Sequence, residues 1–147
     1  MFDVFQASLP CPACGTAGSS AEIKTYIRNG SANGSALGVG FELEPVDLAT
    51  ESLLDAGYAL VNLPEPGVAV RLLDVWLCRR CGNEQWAVVE IADGRIRAIE
   101  AVELDCATLE SAHFIADDEA DRRAAVWGDP EPGLSSVEIL RRRLCAR

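Results

Sequence analysis

A chain of 147 residues, 49% hydrophobic and 24% charged, is long enough for one domain with its own core and too apolar to be intrinsically disordered. Its 23 acids outnumber its 13 bases, a formal charge of −10, which opposes binding to nucleic acid through phosphate neutralisation and favours a basic partner. No apolar run approaches the roughly 20 residues of a transmembrane helix, and the opening MFDVFQASLP, with Asp3 and no basic stretch, does not read as a signal peptide, so the chain is expected in the cytoplasm.

In chain order, residues 2–8 alternate as a strand and residues 21–28 as a second, with Ile23, Thr25 and Ile27 on one face. Residues 29–40 hold Asn29-Gly30, Asn33-Gly34 and Gly38-Val39-Gly40, which predict a loop or hairpin tip. A strand at 39–44, a short helix over 47–57 closed by Gly57, and a strand at 58–63 follow. Pro64-Glu65-Pro66-Gly67 is a turn. Residues 68–77 form a long apolar strand. Residues 84–92 place Trp86, Val88 and Glu90 on one face and Ala87, Val89 and Ile91 on the other. Asp93-Gly94 signals a type I′ hairpin, and 95–104 returns with Ile96, Ala98 and Glu100 against Arg97, Ile99 and Ala101. The pattern then turns helical at 107–115 and 116–127, with Asp117, Asp118 and Glu119 suiting a helix start. A breaker at 128–133 precedes a last helix with a Ser135/Glu138 capping box and a stripe of Leu134, Val137, Leu140 and Leu144. The expected fold class is α+β. A mainly antiparallel β domain over 1–104, with an insertion at 29–67, carries a helical extension over 105–147.

Cys11-Pro12-Ala13-Cys14-Gly15 and Cys78-Arg79-Arg80-Cys81-Gly82 share the form C-x-x-C-G. The two-residue gap lets both sulfurs of a pair face one site. The glycine supplies a backbone conformation closed to side chains with a Cβ, which turns N–H groups toward the sulfurs. Four soft anionic ligands suit one tetrahedral Zn²⁺ and leave no position for water or substrate, so Cys11, Cys14, Cys78 and Cys81 are the expected ligands of one structural zinc. A redox dithiol at Cys11/Cys14 is the rival reading, but a turn-rich connector follows it where a thioredoxin-like motif needs a helix. Iron in place of zinc is a second rival.

The two knuckles, with Gly15 and Gly82, resemble those of zinc-ribbon proteins, in which C-x-x-C pairs at hairpin tips hold one zinc. The resemblance implies a scaffold and no particular activity. It departs from a compact ribbon in the 63 residues between Cys14 and Cys78, against some 15–20 in that class.

Cys106 and Cys145 have no partner at knuckle spacing and read as small buried apolar side chains, so Cys106→Ser is expected to cost about 1–2 kcal/mol or less. His113, the single histidine, reads as a surface or packing residue, and Trp76, Trp86 and Trp127 as packing around the knuckles. No acid, base and nucleophile pattern marks a catalytic site. The expected function is a non-enzymatic, zinc-stabilised module that binds a basic protein, in its sharpest form an acidic inhibitor or immunity-type protein. The alternative is a nucleic-acid or transcription-associated ribbon, using Arg79 and Arg80 with Arg95 and Arg97.

Overall fold

Alternation near the N-terminus builds the first hairpin. β1 (Asp3–Leu9) pairs antiparallel with β2 (Ser19–Thr25), from Asp3 opposite Thr25 to Leu9 opposite Ser19. Phe5, Leu9, Ala21 and Ile23 all face inward. The computed structural model describes residues 1–28, 30–127 and 133–146. The Asn29 half of the first expected turn and the 128–132 part of the breaker therefore lie outside the described residues.

The expected strand at 39–44 is replaced by β3 (Ala36–Leu37), which pairs parallel to β1. Gly40, at φ +94°, interrupts the extended run, and the next residues make only a single bridge, Glu42 to Arg95. A 3₁₀ turn at Pro45–Leu48 and α1 (Thr50–Asp55) follow, and Gly57, at φ +94°, ends the helix as expected. β4 (Tyr58–Leu60) is shorter than the predicted strand.

β5 (Val70–Leu77) and β6 (Glu84–Ala92) form the second long hairpin, and β7 (Arg95–Val102) returns along β6 through a turn in which Asp93 and Gly94 both have positive φ. The return strand does not alternate strictly. Glu90 faces Ala98 while Ile91 faces Ile96, so Arg97 is an extra residue in β7. This bulge puts Ile96 and Ile99 into the same core, correcting the two-face pattern read from the sequence.

The helical reading of 107–127 is also corrected in part. α2 (Cys106–Ser111) and α3 (Asp117–Ala125) are helices, but Phe114–Ala116 between them is β8. β8 pairs antiparallel with β4 and parallel with β5. The sheets are thus three-stranded, in the order β2-β1-β3, and five-stranded, in the order β4-β8-β5-β6-β7. Each contains one parallel pairing beside its antiparallel ones, so the sheets are mixed and mainly antiparallel. α4 (Ser136–Leu144) closes the described chain with the predicted capping box.

The molecule is α+β in three layers. One face of the five-stranded sheet packs on the three-stranded sheet through Leu72, Trp76, Val89, Ile91 and Phe114 against Phe5, Leu9 and Ile23. Its other face, with Leu73, Val88 and Ile115, is covered by Leu109, Ala120, Val137 and Leu140 of the helices. Covering both faces explains why β6 is apolar on both of its alternating sides. No described helix is long and apolar enough to cross a membrane.

Candidate metal centre

Each C-x-x-C segment sits at the turn of a hairpin, the first between β1 and β2 and the second between β5 and β6. The two turns repeat one hydrogen-bond pattern. The N–H of Cys11 donates to Thr16 O at 3.1 Å and that of Gly15 to Cys11 O at 2.9 Å; Cys78 donates to Asn83 O at 3.0 Å and Gly82 to Cys78 O at 2.8 Å. Gly15 and Gly82 share φ +74°. A Cβ at either would meet no atom within 4 Å, so glycine is needed there for the backbone angle and not for space.

Packing of the two sheets brings the turns together. Cys11 Sγ lies 3.7 Å from Cys81 Sγ, and Cys14 Sγ lies 3.8 Å from Cys78 Sγ. All four sulfurs fall within 4.8 Å of one another and none is in a disulfide. With metal–sulfur bonds of about 2.3 Å, the edge of a tetrahedron of sulfurs is about 3.8 Å. The four cysteines therefore form a group that can hold a metal ion, with Cys11 and Cys78 buried, Cys81 half-buried and Cys14 exposed.

The turns also supply the electrostatics. The Cys78 thiol is pulled down to about 6, first by the Cys81 N–H, against the opposing effect of burial, and then by the Arg80 N–H and Ser19. Ser19 Oγ lies 3.7 Å from its sulfur. Asn83 Nδ2 donates to Cys81 Sγ at 3.3 Å. The Thr16 N–H pulls the Cys14 thiol down, but desolvation and the three neighbouring sulfurs outweigh it and push it up to about 11. The opposed directions of the two shifts are those expected where four sulfurs crowd one another.

The remaining candidates have other roles. His113 Nδ1 accepts from the Arg71 N–H at 3.0 Å, and the His113 N–H donates to Arg71 O at 3.0 Å, so the ring locks β8 to the start of β5. Trp76 is buried and its Nε1 donates to Trp86 O at 3.3 Å. Trp127 lies under Arg123 and Arg143. Cys106 and Cys145 are not separate apolar side chains: they form a disulfide that joins the start of α2 to the end of α4. The signal for it was arithmetic, since four cysteines assigned to a metal leave one pair.

Recesses walled by distant segments went unseen in the sequence, two of them beside groups already described. One, of about 340 Å³, has buried Thr25, Tyr58 and Asp74 at its base and Asp117, Asp118 and Glu119 along its wall. Thr25 Oγ1 and Tyr58 OH are 2.6 Å apart. Burial pushes the Asp74 carboxyl up to about 7, with Glu119 adding to it and the Val75 N–H and Tyr58 opposing. The other, of about 780 Å³, flanks the first knuckle, walled by Pro10, Pro12, Trp86 and Val102, with Gln85 and Glu103 as polar members.

In comparisons with known proteins, no family model, no curated protein and no solved structure matches this chain.

Proposed function

We propose that this chain is a non-enzymatic binding module, built on one structural zinc of the zinc-ribbon kind, that engages a basic protein partner. An acidic inhibitor or immunity-type protein is the sharpest form of this reading. Zinc is favoured over iron because four thiolates at tetrahedral spacing suit a redox-inert ion that ties two sheets together. Four protein ligands complete its coordination, which leaves the metal no position for a substrate.

The observation that carries the choice of partner is the state of the arginines. Those that suggested nucleic acid are mostly occupied within the chain: Arg79 pairs with Glu22 at 3.1 Å, Arg95 with Glu42 at 2.6 Å, and Arg97 approaches Glu90 at 4.0 Å. Each such pair cancels one acid against one base, so it leaves the acidic surplus of the sequence, a formal charge of −10, unchanged. The apolar recess beside the first knuckle, with Glu103 as its acidic member, suits a protein surface better than a phosphate backbone. The wall of Asp117, Asp118 and Glu119 offers a seat for a lysine or arginine side chain. The cytoplasmic location belongs to this proposal. The Cys106–Cys145 bond weighs against that location, because disulfides persist mainly in oxidising compartments.

Metal content by elemental mass spectrometry should give one zinc per chain. For the partner, the product of a neighbouring gene is titrated against wild type and an Asp118→Asn/Glu119→Gln variant at two ionic strengths, with duplex DNA as competitor. A saturable complex that the variant weakens about tenfold, and that DNA does not displace, supports the reading. Steeply salt-dependent binding to DNA, with no protein complex, overturns it in favour of the nucleic-acid alternative.

A further inference from the structure

Cys106 is the first residue of α2 and Cys145 follows the last residue of α4. Their Cα atoms are 4.9 Å apart, and neither side chain is fully buried. Glu110 lies four residues beyond Cys106 on the same helix, so both side chains share one face. The Glu110 carboxylate makes no hydrogen bond or ion pair among the described residues. One of its oxygens lies within 4.8 Å of both sulfurs.

The backbones that carry these three groups are held together without the disulfide. The Asn62 amide donates to Glu110 O at 2.9 Å and to Ala112 O at 2.8 Å, which fixes the end of α2. Asn62 Oδ1 accepts from Arg141 of α4 at 3.2 Å, and Arg141 also donates to Val61 O at 2.9 Å. Leu109 and Leu140 are both fully buried in the core beneath. Opening the S–S bond therefore leaves α2 and α4 side by side, with both sulfurs still next to the carboxylate.

We propose that Cys106, Cys145 and Glu110 form a second metal site, gated by redox state: shut while the disulfide is intact, and open to Zn²⁺ once it is reduced. A dithiol reductant donates two electrons and two protons to the Cys106–Cys145 bond, and its own sulfurs close into a disulfide. Each new thiol then releases its proton to solvent as it binds the metal. Two thiolates and one carboxylate make a three-ligand set with a fourth position for water, unlike the closed four-cysteine group. The same two sulfurs cannot serve both states, so the corner stores either a covalent staple or an ion.

The test uses the full chain with its zinc, as isolated and after anaerobic reduction with a phosphine, which leaves no competing thiol in solution. Zn²⁺, and in parallel Co²⁺, is titrated and the metal retained after gel filtration is counted. The reduced protein is expected to hold one equivalent more than the oxidised protein. Glu110→Gln, which keeps both cysteines, is expected to bind that extra equivalent at least tenfold more weakly. Cys106→Ser is expected to lose it while keeping the count of the oxidised form. An equal count in both redox states overturns the proposal, and so does full-affinity uptake by Glu110→Gln. Because Glu110→Gln and Cys106→Ser leave the four-cysteine group intact, an extra equivalent that both variants keep belongs to that group and overturns the proposal, whereas one they lose stands apart from whether the group holds its own zinc.

Discussion

Asp3 is fully buried and bound on several sides, a role its place in an N-terminal strand does not announce. Arg28 Nε and Nη2 reach its two oxygens at 2.8 and 2.9 Å, and the N–H groups of Asn33 and Ser35 add bonds at 3.2 and 2.9 Å. This one carboxylate ties β1 to the loop that leads into β3. The Arg28 guanidinium, opposed by burial and helped by those N–H groups, holds it at about 2, below its usual 3.8. Because the folded value is the lower one, the stability it contributes is present above about pH 4. That contribution is lost as pH falls through 4 toward 2. Asp3→Asn should therefore cost about 2–3 kcal/mol at pH 7 and close to nothing at pH 2, measured by denaturant unfolding at both. An equal loss at both values would place the effect in shape and not in charge. The knuckle cysteines were legible in the sequence because their geometry is local: two residues of spacing and a glycine set the turn. Asp3 and Asp74 were not, because their partners come from other segments of the chain.

At the level of elements, what could be read depended on how many residues repeat a pattern. β6 has nine residues, and its bounds were predicted to the residue. β8 has three, set between two helices, too few for a period of two to stand out from a period of 3.6. Only its partners make it a strand: Leu60 and Leu72 both stand opposite Phe114 in the neighbouring strands. Phe114 is fully buried between β4 and β5, so Phe114→Ala should cost about 3–5 kcal/mol by thermal or chemical unfolding. A loss below about 1 kcal/mol would show that residues 114–116 are not inside the sheet. The β7 bulge escaped notice for a related reason, since one extra residue shifts the pattern without removing it. The Ser135 cap was legible because it is local: its side chain accepts from the Glu138 N–H at 3.2 Å, and Glu138 reaches back to the Ser135 N–H at 3.4 Å.

Across the whole molecule, the six cysteines fall in two different layers. The four-cysteine group sets the hairpin of the three-stranded sheet beside that of the five-stranded sheet, so a metal held there would brace the core between them. The Cys106–Cys145 bond works within the helical layer on the far side. The expectation that Cys106→Ser would cost about 1–2 kcal/mol or less took Cys106 as a lone apolar side chain, and the disulfide replaces that premise. The bond spans 39 residues, and closing a loop of that size stabilises by about 4 kcal/mol on the chain-entropy account. Cost alone no longer separates the knuckle cysteines from Cys106, but conditions do. Under oxidising conditions both Cys14→Ser and Cys106→Ser should lower the melting temperature. In reductant with no metal added, Cys106→Ser should match wild type, since both then lack the bond, whereas Cys14→Ser should remain destabilised. A strong zinc chelator should reproduce the Cys14→Ser loss in wild type and add little to Cys14→Ser itself, because the metal's binding energy is part of the folding energy. Equal responses of the two variants to reductant and to chelator would mean that the sheets are not joined through a metal.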